Sequence, residues 1–297
     1  MKSSRFDSNK AFDAINVSLL VIVLIITLYP LVYVLSASFS DPMEVVKGNM
    51  VLFPKGLNVT SYARVFAHDE IMNGYLNSII YTLSGTAVNM IMTILCAYPL
   101  SRKDLEGRGI IMGLIVFTMY FSGGLIPSYL VVSKWLHLRN TIWALVLPGA
   151  ISVYNMLIVR NYFVNSIPGE LNDAAMIDGC SDMRLLIKIV IPLSAPVLAV
   201  VGMYYIVGHW NSWFSALIYM TSKKRYPLQL VLKGILVDGS ESSLLDDGDM
   251  ESYLRQVMLS ESIKYSVIVV ASAPVLALYP FLQKFFVKGV MVGAIKG

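Results

Sequence analysis

Residues 168–192 read PGELNDAAMIDGCSDMRLLIKIVIP and lie between two long apolar runs. The stretch reads as helix, glycine turn, helix, stop. Pro168 suits a first helical turn, Gly179 suits a left-handed exit, and Ser181 with Asp182 suits the cap of a second helix. That second helix is expected from about Met183 to Ile191, ending where Pro192 removes a backbone donor. Met176, Ile177, Leu185, Leu186 and Ile189 would give this polar loop more exposed apolar surface than a connector needs, which points to docking on a partner.

The runs on either side set the class. Of 297 residues, 56% are hydrophobic and only 14% are charged, with a mean hydropathy of +0.66. A soluble domain carries about 25% charged residues, so an all-α integral membrane protein is expected. The net charge of +4 is small and the basic residues are dispersed, which argues against nucleic acid. Cys96 falls in an apolar run and Cys180 in the polar loop, a placement that makes no disulfide framework. His68, His137 and His209 lack the spacing of metal ligands, so no metal site is expected.

Six spans are legible, at about 15–34, 79–100, 110–132, 141–163, 196–219 and 265–286, forming one transmembrane domain over 1–297. The first follows a basic segment, but its length exceeds the ~7–15 residues of a signal-peptide core and suffices to cross a bilayer. Pro30 should kink or loosen it. SGGLIP at 122–127 interrupts the third, and Pro148 with Gly149 breaks the fourth; such interruptions are tolerated where neighbours or a cavity satisfy the freed backbone. With the N-terminus inside, the 101–109 loop, the 164–192 loop and the C-terminal tail all face the cytoplasm. Arg102, Lys103 and Arg108 in one short loop and Lys284, Lys288 and Lys296 near the end agree with that orientation.

Asp173, Ala174, Ala175, Asp178 and Gly179, followed after nine residues by Ile189, Ile191 and Pro192, resemble the EAA loop of bacterial ABC importer permeases. Aspartate replaces the usual first glutamate, and isoleucine the usual leucine before proline. The resemblance implies the type I importer permease fold and a loop, 164–192, that couples to an ATPase subunit. Glu170, Asp173 and Asp178 would present charge there, Ala174 and Ala175 would permit close packing, and Gly179 would permit the turn. YPFLQKFFVKGVMVGAIKG at 279–297 is similar to the C-terminal signature of carbohydrate-type permeases, the class that includes the maltose transporter's second permease. Gly289, Gly293, Lys296 and Gly297 occupy its signature positions. Residues 119–163 resemble the permeases of polysaccharide and complex-oligosaccharide importers, alginate importers among them.

The resemblance implies partners: a second permease, two ATPase subunits holding ATP and Mg, and an extracellular solute-binding protein, all at the bacterial cell membrane. No G-x-x-x-x-G-K-[ST] phosphate loop occurs in the chain, so no ATPase chemistry of its own is expected. For a carbohydrate path the fifth span offers Tyr204, Tyr205, His209, Trp210, Asn211 and Trp213, and the fourth offers Tyr154 and Asn155. The same residues suit helix–helix hydrogen bonding and an aromatic belt at the outer interface. A permease for a non-sugar solute is the nearest alternative. A secondary transporter would need ionisable groups deep within its spans, and apart from Arg160 and Lys284 near span ends there is essentially none except His209; a membrane enzyme would need carboxylates at bilayer depth.

Overall fold

The computed structural model describes residues 4–238, 263–278 and 280, and every regular element among them is helical. Two compact units divide the chain, Met1–Asp69 with Gly234–Ser272, and Glu70–Lys233 with Ala273–Gly297.

In the first unit α1 (Ser4–Ser38) continues through Pro30 and from Ile15 onward is apolar on every side. No part of its apolar window is buried by the chain, the pattern of a helix whose surroundings are themselves apolar. The segment after it, polar in composition, folds into α2 (Pro42–Val46) and α3 (Thr60–Ala67). Asp41 caps α2 by accepting from the Met43 amide at 2.8 Å. Buried serines replace sheet or helix bonds here: the Ser36 hydroxyl donates to the Leu52 carbonyl and the Ser40 hydroxyl accepts from the Lys55 amide. Ala37, Val45 and Met50 form a small core with Tyr33 and Tyr265 against it.

The second unit is built on α4 (Asp69–Ser101), which starts ten residues before the expected span at 79. Its buried stripe, Ile71, Gly74, Ser78, Thr82, Gly85, Asn89, Thr93, Ala97 and Leu100, keeps helical spacing from end to end, which is why the helix extends. Most of these side chains are small or hydroxylated, the composition that lets helix backbones approach closely in a membrane. Beyond α4 come α5 (Arg108–Tyr120) and α6 (Leu125–Trp135), joined at a turn of 108°. The expected interruption at 122–127 is thus a reversal rather than a kink, with Gly124 at φ +84° making it. α7 (Trp143–Gly149) and α8 (Val153–Ser166) meet at 53°, where Pro148 and Gly149 were expected to break the fourth span.

Next follow α9 (Gly169–Ile177), α10 (Asp182–Leu193) and α11 (Ala195–Trp210), the last two bent by 84°. α10 does not end at Pro192, as the missing donor had implied. A π-turn at Leu186–Val190 lets the Ile191 amide bond the Leu186 carbonyl five residues back, and the register so shifted accommodates the proline ring. The stop is Ser194, fully buried. The expected fifth span at 196–219 is likewise two pieces, because residues 211–213 separate α11 from α12 (Phe214–Tyr219). α13 (Leu228–Lys233) completes the unit's described core. α14 (Ile263–Leu278) is the described part of the expected sixth span.

By length and composition, α1 from Lys10 and α4 each suffice to cross a membrane, and three bent pairs pass the same test together.

Candidate functional site

The 164–192 segment closes with the glycine turn read from its sequence. Gly179 has φ +68°, and the Cys180 amide reaches back to the Ala175 carbonyl at 2.8 Å, a Schellman closure. A β-carbon at Gly179 would touch nothing within 4 Å, so the position needs glycine for its backbone angle and not for room. Ser181 occupies the next N-cap position, but its side chain makes no capping bond, contrary to expectation.

The apolar residues of the loop divide differently from the sequence reading. Leu185 and Leu186 are buried, Ile189 is half-buried, and all three join Ala175 and Val190 in the unit's core with Ala97, Val159 and Val201. The exposed apolar surface comes from Ile177, as expected, and from Met183 and Ile187, which were not expected, at 87%, 55% and 57% exposure. Glu170, Asp173, Ala174, Asp178 and Pro192 are also exposed. Ala174 and Ala175 therefore differ, Ala175 packed on its own chain and Ala174 open. Such a mixed apolar and acidic face can seat a protein partner.

Arg102, read from sequence only as a topological charge, fastens this segment to the end of α4. Its guanidinium donates to both carboxylate oxygens of Asp104 at 2.9 Å, and Nη1 lies 3.7 Å from Asp182 in the first turn of α10. That pairing holds the Asp104 carboxyl below its usual range and pushes Arg102 further up. Two more guanidiniums satisfy carbonyls at the helix end, Arg160 Nε on Leu100 and Arg108 Nη1 on Arg102. A cavity of about 550 Å³ opens beside them, lined by Lys103, Arg108, Arg160, Asn172 and Asp173 among others.

The candidate solute-path residues separate into two groups. Tyr154, Tyr204, Asn211 and Trp213 are exposed; Trp213 meets Phe214 edge-on, and Asn211 turns its amide onto the Val207 carbonyl of its own helix. Asn155 and Trp210 are buried, Trp210 edge-on to Tyr75. Tyr205 and His209 instead bond across to α4. Asn89 Oδ1 meets His209 Nε2 at 2.5 Å, and one turn along, the Thr93 and Tyr205 hydroxyls meet at 2.7 Å. Both rungs also hold the break in the fourth span. Asn89 Nδ2 donates to the Gly149 and Ala150 carbonyls, and the Ser152 amide donates to Tyr205 Oη at 3.1 Å. Asn89 and Thr93 were missed because they sit in an apolar run. Their i, i+4 spacing opposite Tyr205 and His209 was the available signal.

The other end of the unit is basic. Near the start of α4, Asn77 donates to the Lys224 and Tyr226 carbonyls, while Arg225 donates to the Asn140 carbonyl. Exposed Lys134, Arg139, Lys223, Lys224 and Arg225 gather about this end. Glu70 lies 3.5 Å from Lys223 among them. The tail positions Gly289, Gly293, Lys296 and Gly297 lie outside the described residues.

Three comparisons bear on these features. Residues 71–292 match the family model described as the binding-protein-dependent transport system inner membrane component. Over 97% of its length the chain is 41% identical to the polygalacturonan/rhamnogalacturonan transport system permease protein YtcP of Bacillus subtilis, covering 99% of that protein. It is 39% identical to protein LplC of the same organism, with 98% of this chain and 96% of that one aligned. Its fold superposes on a chain from the crystal structure of a bacterial ABC transporter involved in import of the acidic polysaccharide alginate. That match has a TM-score of 0.85 and 31% identity, over 94% of this chain and 98% of the other.

Proposed function

This chain belongs to the family of binding-protein-dependent transport system inner membrane components, and on that premise we propose that it is one permease of an ATP-driven carbohydrate importer. The observation that carries the proposal is the likeness, over nearly the whole length of both chains, to a subunit of an alginate-importing transporter. The chain acts as a single permease domain that crosses the bacterial cytoplasmic membrane six times, in the type I importer arrangement, with both termini in the cytoplasm. The pairing of loops supports this: Arg102 ties 101–109 to the 164–192 segment at one end of α4, and Arg225 ties 219–226 to Asn140 at the other. A 33-residue helix separates those ends by about 50 Å, more than a bilayer's thickness.

A second permease, two ATPase subunits and an extracellular solute-binding protein complete the importer, and ATP with Mg binds in the ATPase subunits. The face formed by Asp173, Ala174, Ile177, Asp178, Met183 and Ile187 docks on an ATPase subunit. Movement there passes through the core shared by α9, α10 and α11 to the broken fourth span, and access alternates. The solute path runs past Tyr154, Asn155, Tyr205, His209, Asn211 and Trp213, and Gly289, Gly293, Lys296 and Gly297 form the tail that lies against the ATPase pair. The cations at the opposite end suit an anionic sugar chain.

Reconstituted importer would be assayed for ATPase activity with oligogalacturonates, their neutral methyl esters and arabino-oligosaccharides, beside Gly179→Trp. Stimulation by one sugar class, lost in the variant while membrane insertion persists, is the expected result. If no ATPase subunit associates with the chain, the importer reading fails.

A further inference from the structure

We propose that His209 is a hydrogen-bond acceptor for a solute hydroxyl at mid-membrane, held in one tautomer by Asn89 and given room by Gly85. The inference rests on the importer reading above.

The tautomer follows from what surrounds Asn89. The Gly149 and Ala150 carbonyls can only accept, so the Asn89 amide nitrogen must face them. Its oxygen is then turned to His209, and an amide oxygen only accepts, so His209 Nε2 carries the proton. In the neutral ring Nδ1 is left as an acceptor. It has no partner among the described residues and is not one of the enclosed polar atoms left unsatisfied, so it lies on the open side of a half-buried ring.

A β-carbon at Gly85 would lie 2.6 Å from His209 Cε1 and Nε2, so any larger residue displaces the ring. Asn89 is buried near the middle of the expected 79–100 span, the depth at which secondary transporters hold solute. An ionisable group at that depth with one nitrogen fixed and the other open is arranged for recognition rather than for packing alone. The solute it fits is a hydroxyl-bearing one, a sugar or polyol, that donates to Nδ1.

His209→Gln separates the two ring nitrogens. Its amide nitrogen reaches the Nε2 position and can still donate to Asn89, while the acceptor moves from the ring Nδ1 to an amide oxygen on a flexible side chain. The assembled importer carrying this variant would be driven by whichever oligosaccharide in the panel stimulates the native importer. The readout is solute transported per ATP hydrolysed, together with thermal stability. Retained thermal stability with transport per ATP reduced about three- to ten-fold, the effect of one neutral hydrogen bond, is expected. Unchanged transport per ATP overturns the proposal while leaving the importer reading standing. Should the variant not assemble, nitrogen-15 histidine spectra of the native importer decide. This chain has three histidines, and only His209 lies within a predicted span. An Nε2–H tautomer whose Nδ1 resonance moves with transported sugar, and not with a non-transported one, supports the site. An Nδ1–H tautomer, or a resonance indifferent to sugar, sinks it.

Discussion

Gly85→Ala is a one-carbon change whose cost should depend on a residue in another helix. The new carbon would fall 2.6 Å from two atoms of the His209 ring and 2.9 Å from a third. Carbon contacts settle near 3.5–4.0 Å, so the ring must retreat by about 1 Å. That movement overpacks the α4–α11 contact, at about 1–3 kcal/mol. It also lengthens the bond to Asn89, and a hydrogen bond between membrane helices is worth about 0.6 kcal/mol on average. Against these, alanine is favoured over glycine inside a helix by about 0.5–1 kcal/mol. The net expectation is a loss of about 1–3 kcal/mol. In a His209→Ala background the three atoms nearest the new carbon are gone, and the same change should be neutral or stabilise by about 0.5–1 kcal/mol. Denaturant titration of the purified importer in detergent, over all four members of the cycle, measures this. An equal cost in both backgrounds would refute the idea that Gly85 exists to admit the histidine ring.

Three further outcomes follow from the same geometry. Tyr205→Phe leaves the fully buried Thr93 hydroxyl without its partner and frees the Ser152 amide, and should cost about 1–3 kcal/mol by the same titration. Because Arg102 depresses the folded-state value of Asp104, any stability that Asp104 contributes is fully present above its unfolded value near pH 4 and is lost as pH falls through the lower folded value. Asp104→Asn should therefore differ from the native chain at pH 7 and converge with it in strong acid, by a small amount because the carboxylate is exposed. Ile187→Asp should leave the chain's own stability within about 0.5 kcal/mol while weakening recovery of the ATPase subunit in pull-down; undiminished recovery would remove Ile187 from the docking face.

Local requirements were readable in the sequence, and choices made by neighbours were not. Gly179 could be placed because a left-handed turn is a property of one residue's backbone, and the break at Pro148–Gly149 because proline lacks a donor whatever surrounds it. The burial of α10 could not be read, because apolar residues stand on more than one of its faces. Leu185, Leu186 and Val190 turn inward and Met183 and Ile187 outward only because Ala97, Val159 and Val201 wait on one side. Pro192 misled because a π-turn upstream can absorb a missing hydrogen bond. Asn89 was lost in an apolar run, since one amide hardly alters the hydropathy of a span. Arg102 was read only as a topological charge, because its second carboxylate partner, Asp182, is remote in sequence.

The bridge from Arg102 to Asp182 bears on how such proteins could be recombined. Grafting residues 164–192 alone into another permease would import Asp182 and leave behind the guanidinium that faces it. The two loops are also shaped to each other, since the walls of the cavity between them come from both, Lys103 and Arg108 on one side and Asn172 and Asp173 on the other. The portable module is therefore discontinuous, 101–109 together with 164–192. A chimera that exchanges both should accept a foreign motor more readily than one that exchanges either loop alone.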